Sequence, residues 1–341
     1  MHPSLPAAAV AACLASPIMA QPPKIVVDTS VTGSIVAKVL GDLGEPSILV
    51  PANTDLHHYQ MRPSDARVLQ DADMLVWIGP ELTPWLGRAA EAGGQIGTQL
   101  ELLHVAGTQL QNFGGETEEA HDHDAHDEHD EHYEGHDEHA DHDDHDAHDD
   151  HDHDHDHDHD HDHDHDHDGV DPHAWLNPEN AILWTATVAE ELARIDPENA
   201  ETYRANAAAA TEGLHALDKE LTAQLAPFAD QSFVVFHDAY GYFTAHFGLQ
   251  PAIALSLGDA TSPSAARLTE VREQIAHTQA SCAFPEFAHD PKLVETAIEG
   301  SGARIGGELA PAGENIQPGP DFYEDLLRNL GTTLTDCLAQ D

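Results

Sequence analysis

The chain has 341 residues and a formal net charge of −50 at pH 7, with 13 lysines and arginines against 63 acidic residues. So large an acidic excess disfavours nucleic acid and anionic membrane surfaces as partners and favours cations. The length is sufficient for two domains that each bury a hydrophobic core.

Residues 1–20 are apolar and rich in alanine, a pattern that predicts a secretory signal peptide cleaved between Ala20 and Gln21. The sequence around Cys13 also resembles a lipoprotein cleavage site, so a lipid anchor on Cys13 is the alternative. No later stretch approaches the roughly 18 apolar residues of a membrane-spanning helix. We therefore expect a soluble, exported protein.

The part of the chain from 21 to 195 alternates strand and helix patterns and is predicted to form an N-terminal α/β lobe. Strands that alternate with helices are typical of a parallel sheet covered by helices. The predicted strands are 24–28, 46–51, 74–79 and 102–106. The predicted helices are 31–42, 64–71 with a Ser64-Asp65 cap, and one opened by Pro84.

The segment 116–168 contains no lysine or arginine but 19 of the 29 histidines, and it ends in strict His-Asp alternation. This composition predicts a disordered insertion in the first lobe, because the segment cannot bury enough apolar surface to order itself. Imidazole suits zinc, copper, iron and nickel, and carboxylate can join it, so we expect the segment to collect divalent metal ions with low affinity. Its candidate ligands are His121, His123, His126, His129, His132, His136, His139, His142, His145, His148, His151, His153, His155, His157, His159, His161, His163, His165 and His167.

After this segment, Asn177 and Pro178 are typical of a helix cap and first helical position. Residues 196–227 are predicted to form one long linking helix, interrupted in sequence only by Gly213. Residues 228–341 repeat the alternation and predict a C-terminal α/β lobe. Its predicted strands are 232–236, 251–257, 281–285 and 303–306, and its predicted helices are 239–247, 264–277, 290–299 and 321–338.

Three histidines outside the acidic segment share a context. His57 follows the predicted strand 46–51, His237 directly follows strand 232–236, and His173 lies in a loop before the helix cap. Because ligands of open α/β sheets bind at the carboxyl ends of strands, these histidines can converge between the lobes. Three imidazoles and one open position form a plausible zinc site. The remaining histidines are expected to be surface or satisfied residues, namely His104, His215, His246, His277 and His289.

Four motifs carry a family resemblance: HHYQMRPSD at 57–65, ADMLVWIGPE at 72–81, DPHAWLNP at 171–178 and VFHDAYGYF at 235–243. Together they resemble the zinc-specific solute-binding proteins of bacterial ABC transporters, the ZnuA-like group. The motifs occur in the family's order, and a histidine-rich insertion precedes the third. The resemblance covers nearly the whole chain after the signal.

The resemblance implies two α/β lobes with mostly parallel sheets, joined by one long rigid helix, and a Zn²⁺ site in the cleft with His57, His173 and His237 as ligands. His58 occupies a position where the family often has Asp and is not expected to coordinate. Leu56 and Ala310 stand where relatives have acidic residues. The fourth ligand is therefore expected to be water, with Glu308, Glu286 or a loop residue as alternatives.

Cys282 and Cys337 form an even pair once Cys13 is removed, which predicts a disulfide in an oxidising compartment, with two buried thiols as the alternative. The resemblance also implies this disulfide, between the last helix and a strand of the second lobe.

The function implied is that of a periplasmic, high-affinity zinc receptor for an ABC permease, monomeric and not an enzyme, with a periplasmic zinc chaperone as a candidate second partner. The alternatives are a secreted zinc hydrolase, for which Glu286 is the one candidate base, and a metal buffer centred on residues 116–168.

Overall fold

A computed structural model describes residues 22–92, 97–113, 169–258 and 262–340. The predicted signal peptide, Cys13 and the histidine-rich segment 116–168 lie outside these residues. In the described part no helix is both long and apolar enough to cross a bilayer.

The first lobe is a four-stranded parallel sheet in the order β2-β1-β3-β4. Strands β1 and β3 are buried along their whole length. Such continuous burial requires the unbroken apolar sequence of a parallel sheet that is covered on both faces. The strands are β1 (Ile25–Val27), β2 (Ser47–Ile48), β3 (Met74–Trp77) and β4 (Thr98–Glu101), and the helices are α1 (Ser30–Leu40), α2 (Pro63–Gln70) and α3 (Pro84–Ala92).

Two helices follow, α4 (Pro178–Ile195) and α5 (Ala200–Leu225). Asn177 caps α4 as predicted, since its side-chain oxygen accepts a hydrogen bond from the Glu179 amide at 3.0 Å. The long helix begins later than predicted because Asp196 holds a turn before it. The Asp196 carboxylate accepts hydrogen bonds from the side-chain amide of Asn199 at 2.7 Å and from the Tyr203 hydroxyl at 2.8 Å.

The second lobe repeats the architecture of the first. Its parallel sheet has the order β6-β5-β7-β8. The strands are β5 (Phe233–His237), β6 (Ile253–Ser256), β7 (Cys282–Ala283) and β8 (Arg304–Ile305), and the helices are α6 (Gly241–Phe247), α7 (Ala265–Thr278), α8 (Lys292–Ala297) and α9 (Phe322–Leu338). The predicted class, two α/β lobes joined by one long helix, is confirmed.

Helix α5 joins the lobes by packing against both. Its Asn206 side chain donates a hydrogen bond to the Val39 carbonyl of α1 at 3.0 Å, and Gln224 donates to Thr335 of α9 at 3.1 Å. A Cβ at Gly331 would lie 2.8 Å from a Leu221 methyl group, so glycine is required for α9 to approach α5 this closely. The helix therefore fixes the two lobes to one another.

Hydrogen bonds near the cleft also cross between the lobes. The Trp175 indole donates to the Pro311 carbonyl at 2.9 Å, and the Tyr323 hydroxyl donates to the Trp175 carbonyl at 2.6 Å. The Tyr242 hydroxyl donates to the Asp171 carbonyl at 2.8 Å. One continuous hydrophobic core contains residues of both lobes. The cleft is thus built on a fixed frame.

Two local predictions were wrong. Residues 102–106 follow strand β4 rather than forming it, although the amides of Leu102 and Leu103 still bond to carbonyls of the β3 segment at 2.9 Å. Strand β4 itself is polar and partly exposed, so its sequence lacks the apolar run of a buried strand. Helix α2 begins at Pro63 rather than after Ser64, because the Asp65 carboxylate accepts the Arg62 amide at 2.7 Å. Other elements differ from prediction at their ends.

The predicted disulfide between Cys282 and Cys337 is present and buried. It joins β7 to α9 across a sequence separation of 55 residues, with the two Cα atoms 6.2 Å apart. It therefore fastens the last helix, which contacts α5, to the centre of the second sheet.

Replacing both cysteines by alanine should lower the free energy of unfolding by about 2–4 kcal/mol, because the cross-link no longer restricts the entropy of the unfolded chain. Urea unfolding of the oxidised protein and of the double variant measures this difference. A reducing agent should lower the midpoint of the unmodified protein but leave that of the double variant unchanged. Identical midpoints for the two oxidised proteins would contradict the prediction.

Candidate metal centre

His57, His173 and His237 converge in the cleft. Their ring centroids lie 5.2 to 5.6 Å apart, and one potential ligand atom from each lies within 4.8 Å of the others. The Nε2 atoms of His173 and His237 are 3.4 Å apart. Two nitrogens bound tetrahedrally to one zinc ion at about 2.0–2.1 Å are separated by roughly this distance. The cluster is therefore close to the geometry of a zinc site.

Each histidine is positioned by a different element. His237 is the last residue of β5 and is buried, and His173 lies buried just before the short 3₁₀ turn Ala174–Leu176. His57 lies in the loop after β2, where its amide donates to the Asp55 carboxylate at 3.0 Å. The site thus forms where the carboxyl ends of both parallel sheets face each other, as the position of strand ends in the sequence predicted.

Carboxylates orient two of the rings. His237 Nδ1 lies 2.6 Å from Glu286 Oε1, and His173 Nδ1 lies 2.7 Å from Asp171 Oδ1. An ionised carboxylate only accepts hydrogen bonds, so both Nδ1 atoms act as donors and both Nε2 atoms remain for a metal. This carboxylate–histidine arrangement is typical of metal-binding histidines. Asp171 also accepts the His173 backbone amide at 2.9 Å, which fixes the loop.

The electrostatics of the cluster favour a cation. Burial lowers the pKa of His237, but the charge and hydrogen bond of Glu286, together with the charges of Asp171 and Glu314, raise the pKa above its ordinary value. Burial and the same carboxylate raise the pKa of the Tyr240 hydroxyl, which donates to Glu286 Oε2 at 3.1 Å. Burial, with a contribution from the Glu286 charge, raises the pKa of Glu314 to about 7. The rise in the pKa of His237 reflects the carboxylates that surround this imidazole.

A cavity of ≈ 10 Å³ lies at the cluster, lined by Asp55, Leu56, His57, His173, His237, Glu286, Phe287, His289, Pro311, Ala312 and Glu314. A space of this size accommodates about one water molecule. Of the two carboxylates considered as a fourth ligand, Glu308 is exposed and does not line the cavity. Glu286 lines it, but its two oxygens accept hydrogen bonds from His237 and Tyr240, so it is placed to orient the His237 ring.

Three acidic residues of this region were not predicted from the sequence. Asp55 and Asp171 lie two positions before His57 and His173, and each accepts the backbone amide of its histidine. The spacing of two positions between each carboxylate and its histidine, within one motif, was the sequence feature that could have indicated this role. Glu314 is far from every histidine motif in sequence, and its position at the cavity depends on the path of the loop before α9.

The remaining histidines have other partners. His58 is exposed and lies 2.7 Å from Asp55, outside the cluster. His104 contacts Glu81 and Glu101, and His246 contacts Asp218. His289 stacks on Phe236 with ring centroids 4.0 Å apart and also lines the cavity, a position its sequence context did not indicate.

Replacing Glu286 by glutamine should weaken zinc binding about 10- to 100-fold, because His237 loses the carboxylate that fixes its orientation and raises its basicity. A competition titration with a chromophoric chelator measures the affinity. The matched control is Glu308→Gln, the same substitution at an exposed site, which should bind zinc like the unmodified protein. Equal affinities for the two variants would remove Glu286 from the site.

Zinc affinity should fall as the pH is lowered, since zinc and protons compete for the same imidazoles. The raised pKa of His237 places the onset of competition above the ordinary histidine value of about 6.5. The same titration at about pH 7.5 and pH 5.5, on either side of that value, tests this. An unchanged affinity over this interval would mean that imidazoles are not the ligands.

Comparison with known proteins gives a consistent result. A family model described as "Zinc-uptake complex component A periplasmic" matches residues 25–337. A protein of Paracoccus denitrificans named "High-affinity zinc uptake system protein ZnuA" is 52% identical over 338 residues, covering 99% of this chain and 98% of that protein. A protein of the same name from Brucella suis is 40% identical over 317 residues, covering 93% and 92%.

Solved structures share the fold at lower identity. A structure described as "Crystal structure of ZnuA" aligns with a TM-score of 0.67 and 22% identity, covering 92% of this chain and 98% of that one. The binding protein FpvC of Pseudomonas aeruginosa, solved with Mn²⁺, aligns with a TM-score of 0.69 and 22% identity, covering 93% and 98%. These likenesses show the two-lobed fold.

Proposed function

We propose, from the premise that this chain belongs to the family of periplasmic zinc-uptake components, that it is a high-affinity Zn²⁺ receptor that delivers zinc to an ABC permease for import. The observation that carries this is the convergence of His57, His173 and His237 between two fixed lobes. Zinc is the cargo of this site, which binds it and performs no reaction on it.

The donor set supports zinc over harder cations. Imidazole suits zinc, whereas manganese and magnesium prefer sites built from carboxylate and water. Two of the three histidines are buried and oriented by carboxylates, so little reorganisation is required on binding. By the Irving–Williams order Cu²⁺ competes well for such a site, so selectivity in the cell rests on metal supply or on docking to the permease.

A secreted zinc hydrolase is the alternative from another class, since three histidines and a water also form a catalytic site. It needs a general base beside the bound water. Glu286, the candidate base, accepts hydrogen bonds from His237 and Tyr240 through its two oxygens. Together with the family membership, this favours a receptor.

The domain roles follow from the receptor function. We assign residues 21–195 to the first lobe, 196–227 to the linking segment around α5, and 228–341 to the second lobe. The receptor acts in the periplasm, to which the signal peptide at residues 1–20 directs it. We favour cleavage after this signal peptide over a lipid anchor on Cys13. It acts as a monomer that docks to the permease, with a periplasmic zinc chaperone as a second partner.

The histidine-rich segment 116–168 serves this receptor as a low-affinity collector that binds several ions. Its alternating imidazoles and carboxylates suit weak, multiple coordination, and its charge attracts cations from solution. In this proposal the segment raises the supply of zinc near the cleft, whereas the specific ion binds at the three histidines. A metal buffer would instead depend on the segment alone.

Isothermal titration with Zn²⁺ separates these functions. Replacing His57, His173 and His237 by alanine should abolish the one tight site, and deleting 116–168 should retain that site while removing weak binding of several ions. The matched control replaces the exposed His58, His215 and His277 by alanine and should keep the tight site.

Three results would contradict the proposal. Retention of tight binding by the cleft variant would refute the ligand assignment. Loss of all zinc binding on deletion of the segment would support the buffer. Zinc-dependent hydrolysis of ester or peptide substrates, lost in the cleft variant, would support the hydrolase.

A further inference from the structure

The loop between β8 and α9 brings one additional carboxylate to the cleft. Glu314 lines the same small cavity as His57, His173 and His237. The residue before it, Gly313, has a φ of +72°, and a Cβ there would lie 2.5 Å from the Phe322 ring. Only glycine fits this turn without displacing Phe322. The path of the loop, and with it the position of Glu314, is therefore determined by local packing.

The same loop is held against the first lobe. Its Pro311 carbonyl accepts the hydrogen bond from Trp175, two residues after His173. Glu314 also lines a narrow space beside residues 50–54 of the first lobe, in the segment that leads to His57. Glu314 is thus a second-lobe residue at the junction of the lobes, next to the loops that carry the two first-lobe histidines.

Glu314 differs from the other carboxylates of the cavity in its hydrogen bonding. The two oxygens of Asp55 accept bonds from the His57 amide and the His58 ring, and those of Glu286 from His237 and Tyr240. The Oε2 atom of Glu314 is buried and has no hydrogen-bond partner within the described residues. A buried carboxylate oxygen without a partner is costly, and a bound cation would remove that cost.

We propose that Glu314 is the fourth zinc ligand and that its Oε2 completes a site of three imidazoles and one carboxylate, in place of the water expected from the sequence. This inference rests on the proposed zinc-receptor function. Among the described residues, only the three histidines have ligand atoms that lie mutually within 4.8 Å. Coordination therefore requires the Glu314 side chain to turn towards the ion.

The chemistry of the site supports this assignment. Three neutral imidazoles leave the charge of Zn²⁺ uncompensated in the first coordination shell, and a carboxylate oxygen is an accepted fourth ligand in closed tetrahedral sites. A site with four protein ligands has no open position for a substrate. It is consequently suited to holding and releasing an ion rather than to activating a water.

The test compares zinc affinities by chelator competition in four full-length proteins: the unmodified chain, Glu314→Gln, Glu308→Gln and His237→Ala. The glutamine at 314 has nearly the same shape but no charge, so it should bind zinc at least about 10-fold more weakly, the lower range for losing a supporting group of a metal site. Glu308→Gln, an exposed glutamate on the preceding part of the chain, should stay within about twofold of the unmodified protein on the same scale. Thermal unfolding without metal checks that each variant is folded.

A crystal structure of the unmodified protein with zinc supplies the second measurement and does not depend on any variant. The proposal expects Glu314 Oε2 about 2.0–2.2 Å from the ion, located by anomalous scattering. Zinc bound by the three histidines and a water, with Glu314 turned away, would overturn it, as would unchanged affinity of Glu314→Gln. If instead His237→Ala retained the tight site, or the unmodified chain had none, the receptor function itself would be wrong.

Discussion

Trp175 connects the loop that carries His173 in the first lobe to the second lobe, and the geometry of the cleft depends on this connection. Its indole donates to the Pro311 carbonyl, its own carbonyl accepts the Tyr323 hydroxyl, and its ring lies 5.1 Å from that of His173. The side chain is almost completely buried, so water does not compete for these bonds. His173 is thereby held at a fixed distance from His237, although the two residues belong to different lobes.

Around this frame the charges are arranged for a cation. Asp171 and Glu286 are buried, and each is compensated by hydrogen bonds from a histidine ring and from a further donor, the His173 amide or the Tyr240 hydroxyl. Buried carboxylates of this kind are costly unless they are paired. Here the negative charge of the two carboxylates acts on the two imidazoles whose Nε2 atoms face each other. The structure thus places a preformed cluster of imidazoles, surrounded by negatively charged carboxylates, between the two lobes.

The sequence predicted those features of the fold and of the cleft that depend on local sequence pattern. The three histidines follow predicted strands or precede a recognisable helix cap, and parallel sheets bring the strand ends together. Their convergence could therefore be predicted. The disulfide could be predicted from the number of cysteines and from the family resemblance. The resemblance, rather than periodicity, identified which histidines act together, because the spacing of a single histidine carries little information.

The remainder depends on long-range packing. Strand β4 was misplaced because it is polar at the sheet edge, and the apolar Leu102 and Leu103 after it are buried by the turn rather than by the strand. The role of Glu286 follows from its contact with His237, 49 residues away, and the position of Glu314 from a loop whose path is set by Gly313, Phe322 and Trp175. No local pattern encodes these contacts.

The most direct test of the central claim is zinc K-edge X-ray absorption on the chain lacking residues 116–168, loaded with one equivalent of zinc. We predict a four-coordinate ion with three imidazole nitrogens at about 2.0–2.1 Å and one oxygen at about 2.0–2.2 Å. The imidazole contribution should disappear together with tight binding when the three cleft histidines are replaced. A shell of five or six oxygens, or fewer than three imidazoles, would contradict a specific site at His57, His173 and His237.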